Sequence, residues 1–334
     1  MIQITDNMMY NNINNELLNQ STNIYNLQGQ ISSGLQINYP QDNPAGMVNV
    51  LSYKNSTALV TQYNSNVSIA NSVGSLASSA MSNAMTVVNQ ASTLAVEMAN
   101  GTNTSANNQA AAQEVGQIIN ELTQSADTSY NGQNIFTGNN LNLSSAYTTT
   151  MSWYQSSGMT APVSYSVYTY AGTDTNQNYQ ITQNETVTPS LTADSIFGND
   201  VANLPTNTPY YTKTNPSTTP PSGLISVLSL FQNELSSGVY QQNSTAIIQG
   251  IQNGLDTMTA AQANVGTVVQ RLNEQQTSYQ TVLSNISQLL NQTQDVNVAQ
   301  AMTSLTQAQD SYQATLEASS NITSLTPMLL QYLK

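Results

Sequence analysis

Heptad periodicity at both ends of the chain constrains its fold more than any other feature. Between residues 10 and 31, apolar residues recur with alternating steps of three and four, and one polar residue interrupts them: Tyr10, Ile13, Leu17, Gln20, Ile24, Leu27 and Ile31. A second stripe lies near the other end: Val298, Met302, Leu305, Ala308, Tyr312, Leu316 and Ile322. Each pattern predicts a helix with one narrow apolar face.

These two faces need a partner, because an isolated helix of about twenty residues is marginal in water. The nearest partner is the other end of the chain, and the next is a second copy of it. We therefore predict that the ends meet, and that their apolar residues form an assembly interface between molecules. An ordinary intramolecular bundle core is the alternative, and it is favoured for two longer stripes, Leu59–Met98 and Met258–Leu290.

Turn and capping residues predict where the N-terminal helices begin and end. Gly34 is a plausible stop for the first helix. Asn43 as N-cap and Pro44 at the first helical position predict a second helix from about Ala45 to Asn100. A shorter helix is expected from about Ala106 to Ala126, with these residues on one face: Val115, Ile118, Ile119 and Leu122.

The C-terminal half returns to helix after an irregular stretch. Helix is predicted over Leu224–Leu235 and again from Ala246. The long stripe that follows is out of phase with the terminal stripe by about four residues, and the slip falls near Asp295. Such an insertion locally unwinds a coiled coil. Asp295 is therefore where we divide the terminal segment from the preceding helix.

The middle of the chain has the composition of strands and turns. Asn131-Gly132 is a strong hairpin signal. From about residue 139 to residue 223, Tyr, Thr and Pro increase and helical periodicity is lost. Strands are predicted at Val163–Tyr170, Tyr179–Thr182 and Glu185–Thr188, followed by an extended return linker with these prolines: Pro205, Pro209, Pro216, Pro220 and Pro221.

These elements predict a mainly α fold of three parts. Residues 1–44 and 295–334 form a terminal coiled-coil assembly segment. Residues 45–140 and 224–294 form an α-helical rod. Residues 141–223 form a small inserted β-rich domain that is exposed and ends in the proline-rich linker.

The charge balance argues against a nucleic-acid partner. Charged residues make up 6% of the 334, against roughly 25% in ordinary domains. Four basic residues stand against seventeen acidic ones, which leaves nothing to neutralise phosphates. Because few fixed charges remain once carboxyls are protonated, the composition is also compatible with an acidic habitat. Compositional drift explains it equally well.

The sequence also lacks the residues that most enzymes need. It contains no His and no Cys, so zinc sites and His-based triads are impossible. No two acids lie within four positions, and no phosphate-binding fingerprint occurs, so we predict no catalytic residue, metal or cofactor. Arg271 and Glu274 are predicted to pair on one helix. Trp153 and the neighbouring tyrosines could stack on a glycan, but strand packing is the favoured role.

The sequence carries no recognisable membrane or leader signal. The residues from Met1 to Asp6 contain neither a basic region nor an apolar block, so no cleavable signal peptide is expected. No stretch reaches the ~18 apolar residues of a membrane-spanning helix, so membrane insertion is not expected.

Several stretches resemble the bacterial flagellin superfamily. Leu27–Ile37 running into Asp42–Gly46 resembles its N-terminal signature, and Asp295–Leu333 resembles its C-terminal signature. Within the superfamily, three stretches are most similar to hook-associated protein 3, the hook–filament junction family: Met8-Met9-Tyr10, Tyr130–Gly138 and Thr192–Gly198. Members usually carry Arg or Lys where this chain has Leu35-Gln36, so amide hydrogen bonds are expected to replace salt bridges between subunits.

The resemblance implies a structural protein outside the cell. It implies a ring of copies stacked between a neighbouring hook-associated protein and the flagellin filament, with the terminal coiled coil facing the central channel. It also implies export through the flagellar type III apparatus without a cleavable signal, and a chaperone on the C-terminal helix before export. Filament flagellin is the first alternative. A secreted adhesin that uses the Tyr-rich middle is the second.

Overall fold

The computed structural model describes residues 6–200 and 212–332, and the side chains of residues 8–200 and 212–321. The described chain is mainly helical, with three small antiparallel hairpins. Its helices are α1 Asp6–Ser33, α2 Pro44–Met98, α3 Ser105–Ala126, α4 Ala193–Phe197, α5 Leu224–Ser237, α6 Ser244–Gln294 and α7 Val298–Tyr332. Its strands are β1 Ser129–Tyr130, β2 Gln133–Asn134, β3 Tyr147–Tyr154, β4 Val163–Tyr170, β5 Tyr179–Gln180 and β6 Thr186–Val187.

The described residues form two compact units. One contains the chain up to Thr61 and from Gln280 onward, and the other contains the residues between Gln62 and Tyr279. We refer to them as the terminal unit and the middle unit. Both long helices, α2 and α6, begin or end in one unit and continue into the other.

The predicted helix signals are confirmed. Gly34 follows α1 with a φ of 73°, where glycine has no side chain to strain, and its N–H donates to the Gln30 carbonyl. Asn43 caps α2, because its Oδ1 accepts from the Gly46 N–H at 2.9 Å. Helix α6 ends and α7 begins on either side of Asp295, near the position of the predicted phase slip.

The predicted hairpin and the predicted strands are present, and a strand that the sequence did not reveal pairs with one of them. Asn131 (φ 50°) and Gly132 (φ 78°) both adopt positive φ in the turn between β1 and β2, as a type I′ turn requires. β4 pairs with β3, from Tyr147 opposite Tyr170 to Tyr154 opposite Val163. β3 was missed because its run of threonines does not alternate with apolar residues. The β5–β6 pair is shorter than predicted.

The β-rich segment is not a separate domain, which corrects the three-part division. One hydrophobic cluster joins its strands to α2, α3, α5 and α6. Helix α5 is mostly apolar in its first two turns, and its residues from Leu224 to Phe231 are all buried. A two-stranded sheet cannot bury its own apolar face, so β3 and β4 depend on this helix. Of the predicted linker, Pro205 and Pro209 lie outside the described residues.

Side chains from α5 cover the outer edge of β4. Ser229 Oγ accepts from the Ser166 N–H and Ser226 Oγ from the Tyr168 N–H, both at 2.8 Å. Strand edges carry unpaired N–H groups, and these hydroxyls satisfy two of them.

A correction also concerns Arg271, which does not pair with Glu274. Its guanidinium donates to Glu185, beside β6, in the one ion pair that the described residues contain. The same hairpin accepts hydrogen bonds at the Gln180 carbonyl from Asn66 Nδ2 and at the Ile181 carbonyl from the Tyr279 hydroxyl. The β5–β6 hairpin is therefore fastened to α2 and α6 by polar contacts.

Candidate assembly interface

The two terminal signatures meet where α6 gives way to α7. Leu35 and Asp295 form an antiparallel bridge. The Gln36 N–H donates to the Gln294 carbonyl at 2.6 Å, and the Val296 N–H donates to the Gly34 carbonyl at 3.0 Å. The residues that resemble the family at the two ends of the sequence are therefore neighbours in the fold.

Amide side chains reinforce this crossing. Gln30 Nε2 donates to the Gln36 carbonyl at 3.2 Å, and Gln294 Nε2 donates to the Ile37 carbonyl at 3.4 Å. Gln294 is buried, as is Ile37. Within the chain, amide hydrogen bonds thus hold the backbone on either side of the Leu35-Gln36 position.

Helices α1 and α7 pack against each other in antiparallel orientation, as expected of ends that meet. Gln20 Nε2 donates to Thr315 Oγ1 at 3.1 Å and to Glu16 Oε1 at 3.1 Å. The one polar residue in the α1 stripe therefore finds a polar partner on α7. The predicted contact between the two termini is present within a single molecule.

The predicted interface residues fall into two groups. Those on the side where α1 and α7 meet are half-buried within the chain: Ile13, Leu17, Ile24, Leu27, Ile31, Leu305 and Tyr312. The others remain exposed: Tyr10, Val298, Met302 and Leu316. Ile322 lies outside the residues whose side chains the structure describes.

The exposed group on α7 forms one face, which we call the outer stripe: Val298, Met302 and Leu316. At about 100° per residue, these positions and the buried Ala301 belong to an apolar arc of α7 roughly 120° wide. Helix α1 covers one side of that arc, and Met302 remains 54% exposed on the other. The outer stripe is therefore the part of α7 that lacks a partner in the described chain.

Further exposed apolar residues in the terminal unit were absent from the predicted set. On α1 they are Met8, Leu18 and Tyr25, and the last two are one heptad apart. On α2 they are Val48, Leu51 and Leu59, and on α6 Val282 and Leu289. Leu59 was assigned to an intramolecular core, yet it is 50% exposed. The heptad spacing of Leu18 and Tyr25 was the signal that could have identified a second stripe.

The terminal unit has little core of its own. Among its described residues, the buried apolar side chains are Ile37, Val50 and Ala301, whereas the middle unit has a large continuous cluster. Because so few apolar groups are buried, their burial compensates only a small part of the conformational entropy lost when the long helices become ordered. An arrangement with so much exposed and so little buried apolar surface is typical of an assembly interface.

The stretches that resemble the junction family also contact each other in the middle unit. The Ala193 N–H donates to the Phe136 carbonyl at 2.8 Å, and Ser190 Oγ donates to the Ile135 carbonyl at 2.9 Å. The Tyr170 hydroxyl donates to the same Phe136 carbonyl at 3.1 Å. The segment from Ile135 to Gly138 is buried throughout, so its role in this unit is to hold the fold.

The described residues show neither a metal site nor a membrane helix. No group of three or more Asp, Glu, His or Cys lies close enough to hold a metal ion among them. None of the helices within the described ranges combines the length and the apolar character that crossing a membrane requires.

These features define a class: a helical protein whose two ends come together and leave apolar faces exposed. Comparisons with known proteins show which proteins this chain is similar to. Residues 4–141 match the family model for the bacterial flagellin N-terminal helical region. A flagellin from Clostridium tyrobutyricum is 29% identical over 141 residues, which is 42% of this chain and 37% of the flagellin.

Solved structures of flagellar proteins share the fold. A Vibrio parahaemolyticus protein described as a flagellar hook-associated protein superposes with a TM-score of 0.60 at 13% identity, over 76% of this chain and all of the other. Hook-associated protein-3 from Legionella pneumophila gives 0.54 at 14% identity, over 73% and 97%. The flagellar junction protein FlgL from the same organism gives 0.52 at 13%, over 73% and 99%. The chain thus has a flagellin-like fold of the hook-associated type.

Proposed function

We propose that this chain is a non-enzymatic structural subunit of the bacterial flagellum that joins the hook to the filament. The single observation that carries the proposal is the fold, which spans nearly the whole length of the hook-associated and junction proteins above. The solved structures share little sequence identity with this chain, so they support the fold alone. The N-terminal match to the flagellin model adds a relationship in sequence.

The terminal unit provides the mechanism of assembly in this proposal. Copies form a ring, and the outer stripe of α7 packs on apolar residues of neighbouring copies. Burial of one Leu or Ile side chain contributes about 1.5–3 kcal/mol, so several such contacts can offset the ordering of both terminal helices. Free subunits keep these helices loosely held, and the ring orders them.

The remaining partners follow from the same role. On one side of the ring stands a neighbouring hook-associated protein and on the other the flagellin filament. The subunit is exported, and a chaperone binds its C-terminal helix beforehand. The exposed apolar residues on α7 support this part, because an unassembled helix with such a face needs protection from aggregation.

Filament flagellin is a second candidate, favoured by the N-terminal family match and the Clostridium relative. Growth of purified protein from filament seeds separates the two. A flagellin adds indefinitely and gives long homopolymers, whereas a junction subunit gives short, self-limited multimers.

Deletion of the gene tests the proposal in cells. We expect hooks without filaments in electron micrographs, with flagellin released into the medium, and restoration by the wild-type gene. Normal filaments in the deleted strain would contradict the proposal. Loss of the hooks would also contradict it, since the proposed subunit acts after the hook is complete.

A further inference from the structure

Glu234 is a carboxyl group that the proposed function does not use and that water does not reach. It lies near the C-terminal end of α5, in the middle unit, and its exposed fraction is 0%. Acidic side chains are almost never fully buried unless a cation or several donors compensate them. Its surroundings therefore determine whether the group carries a charge.

Those surroundings supply one donor and no cation. Asn243 Nδ2 donates to Glu234 Oε1 at 2.7 Å, and Asn243 Oδ1 accepts from the Tyr154 hydroxyl at 3.3 Å. Glu234 Oε2 is buried and has no hydrogen-bond partner in the described chain. The basic groups of the middle unit that the structure describes are engaged elsewhere, Lys213 over the Trp153 ring and Arg271 with Glu185.

The titratable groups that respond to the charge of Glu234 are both tyrosines. Tyr154 belongs to β3, and Tyr240 lies in the turn between α5 and α6, where its hydroxyl donates to the Ala95 carbonyl at 2.7 Å. Both are neutral over the physiological range, because burial raises the pKa of each above its usual value near 10. Neither can compensate an ionised Glu234.

We propose that Glu234 is a neutral carboxylic acid in the folded protein and acts as a pH-dependent lock on the corner between α5 and α6. In its neutral form, Glu234 accepts a hydrogen bond from the Asn243 amide and so holds that amide between α5 and β3. Loss of the proton leaves a carboxylate with one hydrogen bond in an apolar site, and the corner opens. This proposal concerns the middle unit and does not depend on the flagellar role.

The direction of the pH dependence follows from linkage. Burial raises the pKa of Glu234 from 4.5 to about 8. The folded state therefore holds a proton that the unfolded state has lost, and stability is greatest in acid. Between pH values of about 5 and 8, the unfolding constant is expected to rise about tenfold per pH unit. Above pH 8 the loss is complete.

The composition removes the side chains that most often titrate in this pH window. The chain has no His and no Cys, whose ordinary pKa values of about 6.5 and 8.5 lie within or next to it. The single tryptophan, Trp153, precedes Tyr154 in β3, so its fluorescence reports on this unit.

The test is urea unfolding of the full chain followed by Trp153 fluorescence from pH 5.5 to pH 9, for wild type, Glu234→Gln and Glu121→Gln. The last is an exposed glutamate on α3 and serves as the matched control. We expect the wild-type and control midpoints to fall together as the pH rises. The Glu234→Gln midpoint should stay level and exceed wild type at pH 9.

A flat wild-type profile would overturn the proposal, as would a Glu234→Gln profile that falls in parallel. Infrared spectroscopy of wild type at pH 6.5 supplies a readout that does not depend on the variant folding. A protonated carboxylic acid gives its own carbonyl stretch, and we expect this band at pH 6.5 and its loss by pH 9. Absence of the band at pH 6.5 would refute the neutral acid directly.

Discussion

At the scale of residues, the middle unit depends on side chains that satisfy backbone groups far away in the sequence. The fully buried Ser226 hydroxyl accepts from the Tyr168 N–H at the edge of β4. Ser226→Ala leaves that N–H unpaired and buried, so we expect a loss of about 1–3 kcal/mol in the free energy of unfolding. Denaturant titration measures it. Ser236→Ala, at an exposed position of the same helix, is the control, and an equal effect of both would contradict the account.

Substitutions at two glycines with positive φ distinguish the cost of an unfavourable backbone conformation from the cost of a steric clash. Gly132 and Gly138 have φ of 78° and 65°. A Cβ at Gly132 meets nothing, whereas one at Gly138 overlaps the backbone oxygens of Thr173 and Thr175.

We therefore expect Gly132→Ala to lower stability by about 1–2 kcal/mol, the cost of a side chain at positive φ. Gly138→Ala adds the backbone clash and should lower the melting temperature several times further. Thermal unfolding compares the two. Similar melting temperatures of the two variants would show that the buried segment from Ile135 to Gly138 shifts at little cost to accommodate the new Cβ.

Residue-scale prediction from the sequence succeeded where the partner is local. Asn43 caps the next turn and Asn131-Gly132 closes a two-residue loop, so neighbouring residues determine both. It failed for Arg271, whose partner Glu185 lies on a distant hairpin rather than one turn away. The roles of Ser226 and Ser229 had no local signal, since both depend on where β4 lies.

At the scale of elements, α7 has a wider apolar arc than α1 can cover. Leu17 and Ile24 lie in the contact between the two helices, whereas Leu316 lies in the outer stripe and is exposed. The same charged substitution should therefore act differently at the two places. Leu316→Asp leaves the contact within the molecule intact, and Leu17→Asp places a charge inside it.

We expect Leu316→Asp to abolish assembly without changing the helical circular dichroism of the free chain. Leu17→Asp should abolish assembly and also reduce the helical signal, while the middle unit stays folded by Trp153 fluorescence. Sedimentation velocity measures assembly, and Gln307→Asp, exposed on the opposite side of α7, is the control. Normal assembly of Leu316→Asp would show that the outer stripe is not an interface.

Elements with strong periodicity were predictable and those without it were not. The bounds of α2 and α3 and the break near Asp295 followed from apolar spacing and capping residues. Strand β3 was missed because exposed threonines interrupt its pattern. On α7, spacing identified an apolar face, but its division between α1 and the surface depends on the packing of two helices.

At the scale of the whole molecule, the apolar core is unevenly distributed. The middle unit holds a continuous cluster, whereas the described part of the terminal unit has three buried apolar residues. We expect amide hydrogens of α1 and α7 in the free chain to exchange within seconds to minutes, and those of α3 and α5 much more slowly. Hydrogen exchange with mass spectrometry measures this, and equal protection would contradict assembly-coupled ordering.

The sequence alone misjudged the division of the molecule for a physical reason. A stretch rich in Tyr, Thr and Pro was predicted as an inserted domain, but its strands have apolar faces that need a helix. Helix α5, whose residues from Leu224 to Phe231 are all buried, supplies it. A local change in composition therefore marked a change of secondary structure and not a boundary between cores.

Immunogold electron microscopy tests most directly whether this chain occupies the boundary between hook and filament. Antibodies against the middle unit should label isolated flagella at one position, where the hook meets the filament. Label along the whole filament would identify a flagellin instead. Label on the cell surface without flagella would contradict the flagellar role altogether.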